Sequence, residues 1–212
     1  MRGCVLLAVG MIPWIMHSQV VSFDEVKPFF MSEWSTNIDY YMWWKSVVFL
    51  ALAVPSAVLI LVLIGLHRAR FLKLPGFFAL SYLALIWVST LASPYFQTNL
   101  WGFPNQYQGA LVQSGYVILF FAAMLAFHKP RAFWQLQVAL GVSIVVVSAI
   151  GLCQYAGLRP LDSDWMQALI LGDDVREAHI TFNDGGRVAS TLYNANYVGS
   201  FVALLLPLVT SF

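Results

Sequence analysis

From Ser46 to Leu66, Leu74 to Ala92, Gly109 to Phe127, Phe133 to Leu152 and Asn196 to Phe212, this chain carries no Asp, Glu, Lys or Arg. Another apolar run, about Val5 to Val21, is interrupted only by His17-Ser18-Gln19 near its end. Such runs approach the roughly 20 residues that a helix needs to cross a bilayer core. Hydrocarbon offers no partner to backbone N–H and C=O groups, so each run must satisfy them internally as a helix. The expected fold is therefore an all-α polytopic membrane protein with about six transmembrane helices, the whole of 1–212 forming one transmembrane domain. Composition agrees: 60% of residues are hydrophobic and 10% charged, against about 25% charged in soluble domains. A net charge of +1 supplies no basic field for nucleic acid, and the spans leave no room for a separate soluble catalytic domain.

Met1-Arg2 before an apolar run has the look of a signal peptide, but no small-x-small cleavage site follows; the run is expected to stay as the first span. Orientation follows from the positive-inside rule. Arg2, Arg68, Arg70, Lys73, Lys129 and Arg131 fall at one set of turns with no acid among them. The acids, Asp24, Glu25, Glu33 and Asp39, then Asp162, Asp164, Asp173, Asp174, Glu177 and Asp184, fall in the others. The N-terminus is expected inside.

The outer connections have features of their own. Ser22 to Trp44 is dense in Phe, Trp and Tyr, which favour the headgroup level. In the last outer loop, Leu161-Asp162-Ser163-Asp164 can cap a short interfacial helix over Trp165 to Leu171, stopped at Gly172. His179 to Phe182 and Arg187 to Ser190, around Asn183-Asp184-Gly185-Gly186, predict a small hairpin. Asn194 is placed to cap the sixth helix.

Several classes are disfavoured. Cys4 and Cys153 have no metal-site spacing, and the threading puts them on opposite sides, beyond disulfide reach; neither a metal nor a cofactor is expected. No ionisable residue sits mid-span, which counts against an ion-coupled transporter. Pro13, Pro55 and Pro207 are expected as tolerated kinks, and no inverted repeat is visible.

The most specific stretch is Gly186-Arg187-Val188-Ala189-Ser190-Thr191-Leu192-Tyr193-Asn194-Ala195-Asn196-Tyr197-Val198-Gly199-Ser200. It resembles a motif of the O-antigen ligase and O-antigen polymerase family, in which Gly-Arg precedes Thr-x-x-Asn-Pro-Asn-Tyr at the outer mouth of a membrane helix; Ala195 stands in place of the proline. Trp101 to Leu111 is similar to the family's Gly-x-x-x-Arg-Tyr-Glu-Gly-Leu segment, with Gln106-Tyr107-Gln108-Gly109 keeping hydrogen-bonding capacity and losing both charges. Asp39-Tyr40-Tyr41-Met42-Trp43-Trp44-Lys45-Ser46 is similar to the start of the family's next helix.

The resemblance implies a polysaccharide ligase or polymerase of the bacterial cytoplasmic (inner) membrane. Such proteins transfer glycan from an undecaprenyl-diphosphate-linked donor at the outer face, without metal or nucleotide sugar. Family members have more spans and a late outer loop bearing catalytic His and Arg residues. The chain is thus expected to match the N-terminal half, with its catalytic residues unknown and no turnover alone. Besides the lipid bilayer and the lipid-linked glycan, its partners would be the other half or a polysaccharide export system. The alternatives are a non-catalytic fragment or split-gene subunit that binds lipid-linked glycan and, further off, a small transporter.

Diphosphate at the headgroup level calls for guanidinium forks and amide donors. The candidate substrate-binding residues are Arg187, Asn194, Asn196, Tyr107, Gln108 and Arg159. Competing readings stand beside them: Arg187 paired with Asp184 or Asp174, Asn194 as a helix cap, Tyr107 and Gln108 as packing, and His179 as an ordinary surface residue.

Overall fold

The computed structural model describes residues 1–22, 36–66, 74–172, 182 and 188–210. Its helices are α1 (Arg2–Met11), α2 (Trp43–Gly65), α3 (Leu74–Ala92), α4 (Phe96–Trp101), α5 (Ala110–Ala126), α6 (Pro130–Tyr155), α7 (Asp164–Ile170) and α8 (Ala195–Thr210). Strands β1 (Gln19–Ser22) and β2 (Thr36–Asp39) pair antiparallel, Gln19 opposite Asp39 and Ser22 opposite Thr36. Among the described residues the architecture is all-α with this one small ribbon.

Helices α2, α3 and α6 are long and apolar enough to cross a membrane. Their 23, 19 and 26 residues give about 28 to 39 Å at ~1.5 Å per residue. Leu61 on α2 and Leu85 and Val88 on α3 leave about two thirds of their surface uncovered, as expected of a face meeting lipid rather than water. The protein is a membrane protein on these grounds. Helices α5 and α8 are apolar but shorter.

The first expected span is corrected. The apolar run of 5–21 divides into α1, a 3-10 turn at Ile12–Trp14, an extended piece and β1. Pro13 lies in that turn, where its missing N–H and its ring end the helix. Beyond it, Val20 and Val21 pair with Ile38 and Asn37, so strand bonds satisfy a backbone that hydropathy alone assigned to a helix. Pro55 and Pro207, by contrast, lie inside α2 and α8.

Helix α5 sits centrally, packed by α2 and α3, while α1 lies among α2, α5 and α6, and α8 along α6. The contacts are made by small residues: Ala53, Ala122 and Ala132 are almost wholly buried. Gly115 on α5 meets the Phe49 ring of α2, where a Cβ would lie 2.5 Å from Cε1. Close backbone approach through small residues is how helices associate in lipid, where burying leucine gains little. Helices α6 and α8 run antiparallel, since Gln137 Nε2 donates to the Leu208 carbonyl (3.0 Å) while Ser190, just before α8, donates to Val147 (2.7 Å).

One end of the bundle is basic. Arg2 donates to the Ala126 carbonyl at the end of α5 (3.2 Å), beside the start of α6 with Lys129 and Arg131. At the far end, Met16, Leu161, Ile170, Leu171 and Phe182 form a second small core. The 15–18 segment is pinned there by His17 N–H to the Tyr40 carbonyl (3.1 Å) and Ser18 N–H to the Ile170 carbonyl (2.7 Å). Helix α7 forms where the sequence placed it, but its cap differs. Ser163 Oγ donates back to Pro160 (2.7 Å), and Asp162 Oδ1 accepts the Phe182 N–H (2.8 Å). Gly172, the expected stop, donates its N–H to Ser18 Oγ (2.7 Å). Most of the hairpin expected over 179–190 lies outside the described residues; Val188 to Ser190, described, form no strand, and Ser190 takes a left-handed φ of 49°.

Candidate functional site at the acidic end of the bundle

Three segments far apart in sequence, 39–46, 101–111 and 188–200, meet at this end. Their junction begins with Asp39, 3% exposed. Its Oδ1 accepts the backbone N–H groups of Tyr41 (3.0 Å), Met42 (2.7 Å) and Trp43 (3.0 Å), fixing the turn into α2. From that turn Trp43 packs edge-on to Tyr107 with ring centroids 5.2 Å apart and also meets Trp101. Tyr41 meets Tyr193 edge-on at 5.7 Å. Lys45, in the first turn of α2 and 7% exposed, donates from Nζ to the Thr191 carbonyl, with its ammonium 6.0 Å from the Tyr41 ring centroid.

The 101–111 segment is a tight knot closed by Gly109 N–H to the Trp101 carbonyl (3.3 Å). Gly102 has φ 92°, and a Cβ on Gly109 would run into the Leu100 carbonyl and the Gly102 nitrogen; only glycine fits. The 188–194 segment is laced down from several sides. Ser190 N–H donates to Gln154 Oε1 (2.8 Å), and Thr191 Oγ1 donates to the Pro13 carbonyl (2.7 Å).

Two cavities open beside the junction. The first, about 470 Å³, is lined by α1 (Ala8), the Ile12–Pro13 turn, α2 (Lys45, Ser46, Phe49), α5 (Val112, Tyr116), Leu192, α8 (Tyr197, Phe201) and the amides Gln106 and Gln108. The second, about 570 Å³, lies among α3, α4 and α5, with Tyr82, Thr90, Thr98, Asn99 and Gln113 in its walls and again Gln106 and Gln108. The knot therefore forms a partition with an amide face toward each. In the second cavity Tyr82 donates to Gln113 Oε1 (2.8 Å), and among the described residues none that is charged lines it.

Burial and the nearby Asp39 carboxylate hold the Tyr107 phenol well above its ordinary range. Tyr41 is pushed up to about 12 by burial, reinforced by Asp162 and Tyr193. Both hydroxyls therefore stay protonated and neutral at physiological pH.

The expected site residues distribute unevenly. Gln108 lines both cavities. Tyr107 is buried and lines neither cavity. Asn194 Oδ1 accepts the Asn196 N–H (2.9 Å), which is the helix-cap geometry its competing reading required. Asn196 is exposed in the first turn of α8; Leu192 and Tyr197, on either side of this pair, line the first cavity. Arg159 is exposed and lines neither cavity. Arg187, with His179, lies outside the described residues.

Sequence reasoning missed Lys45, Gln106, Asp39 and Thr191. Lys45 had a signal: it opens an apolar run on the acidic side, where a lysine contributes nothing to positive-inside anchoring. Among the described residues no group of His, Cys, Asp and Glu could hold a metal ion. No protein-family model, no curated protein and no solved structure matches the chain.

Proposed function

We propose that this protein is a polysaccharide ligase or polymerase-type membrane protein that contributes the binding cleft for an undecaprenyl-diphosphate-linked glycan at the outer face of the bacterial cytoplasmic membrane. The observation that carries the reading is the convergence of the three segments resembling that family. Trp43 on Tyr107, Tyr41 on Tyr193 and Lys45 on Thr191 tie them into one junction, although nothing in their sequence spacing requires it. A membrane-embedded cleft with an apolar chamber, one cation and a neutral amide and hydroxyl chamber has the features that a lipid phosphate and a saccharide demand.

In this reading the chain crosses the membrane about six times with the N-terminus inside, the first crossing being made by the short α1 with its turn at Ile12–Trp14 rather than by the whole of 5–21. The basic end with Arg2, Lys129 and Arg131 then faces the cytoplasm, α7 lies in the outer interface on its exposed Trp165 and Leu169, and Arg187 reaches the donor's diphosphate. Single cysteines near Lys129 and Asp164 report the orientation: an impermeant thiol reagent applied to intact cells should label only the latter, and the reverse pattern removes the outer-face site.

The functional test is saturable binding of undecaprenyl-diphosphate oligosaccharide to the reconstituted chain. Trp43→Ala, Asn196→Ala and Arg187→Ala, spread over separate segments, should each weaken binding, whereas Phe78→Ala, exposed near the other end of α3, should not. No binding, or binding indifferent to all three, refutes the proposal. Chain growth measured in the same preparation distinguishes a transferase from a subunit that only binds.

A further inference from the structure

We propose that the basic end of the bundle, around Arg2, Lys129 and Arg131, is a binding surface for an anionic phospholipid, whose phosphate it holds beside the start of α6 and whose chains lie along the exposed apolar face of that helix. The proposal is independent of the donor-binding reading above and of which side of the membrane this end faces.

The three cations share one surface. Arg2 donates to the Ala126 carbonyl (3.2 Å), which fixes its guanidinium at the end of α5. Lys129 and Arg131 follow directly along the chain, where α6 begins, and Val5, Ala126 and Ala132 pack together in one core with Met1 against them. All three cations are exposed, and among the described residues neither Lys129 nor Arg131 has an ion pair or a side-chain hydrogen bond. Arginine carries five N–H donors, so Arg2 too has donors left over. The chain has nothing with which to neutralise them. No Asp or Glu occurs in 1–23, 40–161 or 185–212, so none stands on α1, α2, α3, α5, α6 or α8, and Asp39, Asp162 and Asp164 belong to the far end. Like charges gathered in this way repel one another. An anion among them removes that repulsion, and phosphate is the anion that a guanidinium fork fits best.

What adjoins the charges selects a lipid over a free anion. Phe133 and Trp134, 44% and 57% exposed, come just after Arg131, at the level where a membrane interface favours aromatic rings. From there Trp134, Val138, Val142 and Val145 are all exposed, and their spacing puts them on one face of α6. At ~1.5 Å per residue that strip is roughly 16 Å long, close to one leaflet's half of the ~30 Å hydrocarbon core. A phosphate at Arg131 therefore continues into a track of the length an acyl chain follows. An acidic protein segment would use the cations and leave this strip unused. A zwitterionic lipid would bring its own ammonium against three others, whereas clustered Lys and Arg at a membrane surface attract anionic lipids.

The full chain, with Cys4→Ser and Cys153→Ser and a bimane-labelled Val138→Cys, is placed in phosphatidylcholine nanodiscs. Quenching by chain-brominated phosphatidylglycerol is compared with quenching by equally brominated phosphatidylcholine, and thermal unfolding is recorded on every sample. At Val138 phosphatidylglycerol should be preferred about 10- to 100-fold, as two or three basic residues near a membrane surface give. Lys129→Gln with Arg131→Gln should lower that preference about tenfold or more. At a labelled Leu91→Cys, exposed at the other end of α3, the two lipids should quench alike. Equal quenching at Val138, the same preference at Leu91, or a preference undiminished in the folded double variant each overturns the proposal. Inorganic phosphate and polyglutamate, added at constant ionic strength, should leave the preference in place. Its loss to phosphate would assign the surface to a free anion, and its loss to polyglutamate alone would assign it to an acidic protein segment; either result overturns the lipid. Should the double variant fail to fold, salt decides on the labelled parent: the preference should fall as sodium chloride rises, and one indifferent to salt refutes a headgroup held by charge.

Discussion

Replacing Asp39 by alanine should destabilise the protein far more than the loss of a loop acid ordinarily would. One carboxylate oxygen receives three backbone N–H groups, at 3.0, 2.7 and 3.0 Å, inside a site that is 3% exposed. A capping side chain contributes about 0.5 to 2 kcal/mol, and hydrogen bonds to a charged group about 1.5 to 3 kcal/mol. These overlap rather than add, because the freed N–H groups regain partners in part, so we expect a total of about 2 to 4 kcal/mol. For a chain of this size about 2–4 °C is lost per kcal/mol, which places the fall in Tm at roughly 5 to 15 °C. The assay is unfolding in detergent followed by tryptophan fluorescence, with Trp43 and Trp44 adjoining the turn. Asp39→Asn keeps a neutral acceptor and should lose about half as much. A second consequence is coupling: without the acid, buried Lys45 faces no opposing charge, so adding Lys45→Met to Asp39→Ala should cost less than it does in wild type. A Tm for Asp39→Ala within 2 °C of wild type, or strictly additive double-mutant losses, would show that the carboxylate is not what holds the turn.

Gly109→Ala should not yield a stably folded protein, because the new Cβ meets the backbone of Leu100 and Gly102, which cannot move aside as a side chain would; expression and gel-filtration profile are the readout. Thr191→Val removes the hydroxyl bonded to Pro13 at 2.7 Å and keeps the carbonyl that Lys45 uses. It should therefore cost about 1 to 3 kcal/mol as a lower Tm while polyprenyl diphosphate affinity in the folded fraction holds. Tyr41, raised to about 12 from 10.0, favours its neutral form when folded. Its contribution is complete below pH 10 and is lost as pH rises toward 12; Tyr41→Phe should flatten the fall of Tm between those values, and an unchanged slope contradicts the burial argument.

The sequence by itself determined the membrane class and five of the helices. Leu74–Ala92 was legible to the residue, and α2, α5, α6 and α8 to within a few, because a charge-free run of that length has no other soluble or bilayer solution. The short helix α7 and the Asn194 cap were legible for the same local reason: they depend on residues that adjoin in sequence. Hydropathy failed at 5–21, since Pro13 ends the helix and the partner of β1 lies beyond Ser22, at Thr36–Asp39. A window average cannot see a pairing partner. The site was hidden for a similar reason. Tyr107 and Gln108 could be suspected from their neighbours, but the isolation of Lys45 from exposed charges, its bond to Thr191 and the amide partition between two cavities exist only where α1, α2, α5 and the 188–200 segment pack. Burial and cavity shape are sums over contacts between distant residues, so only tertiary structure could turn a lysine at the start of an apolar run into a buried cation beside an open chamber.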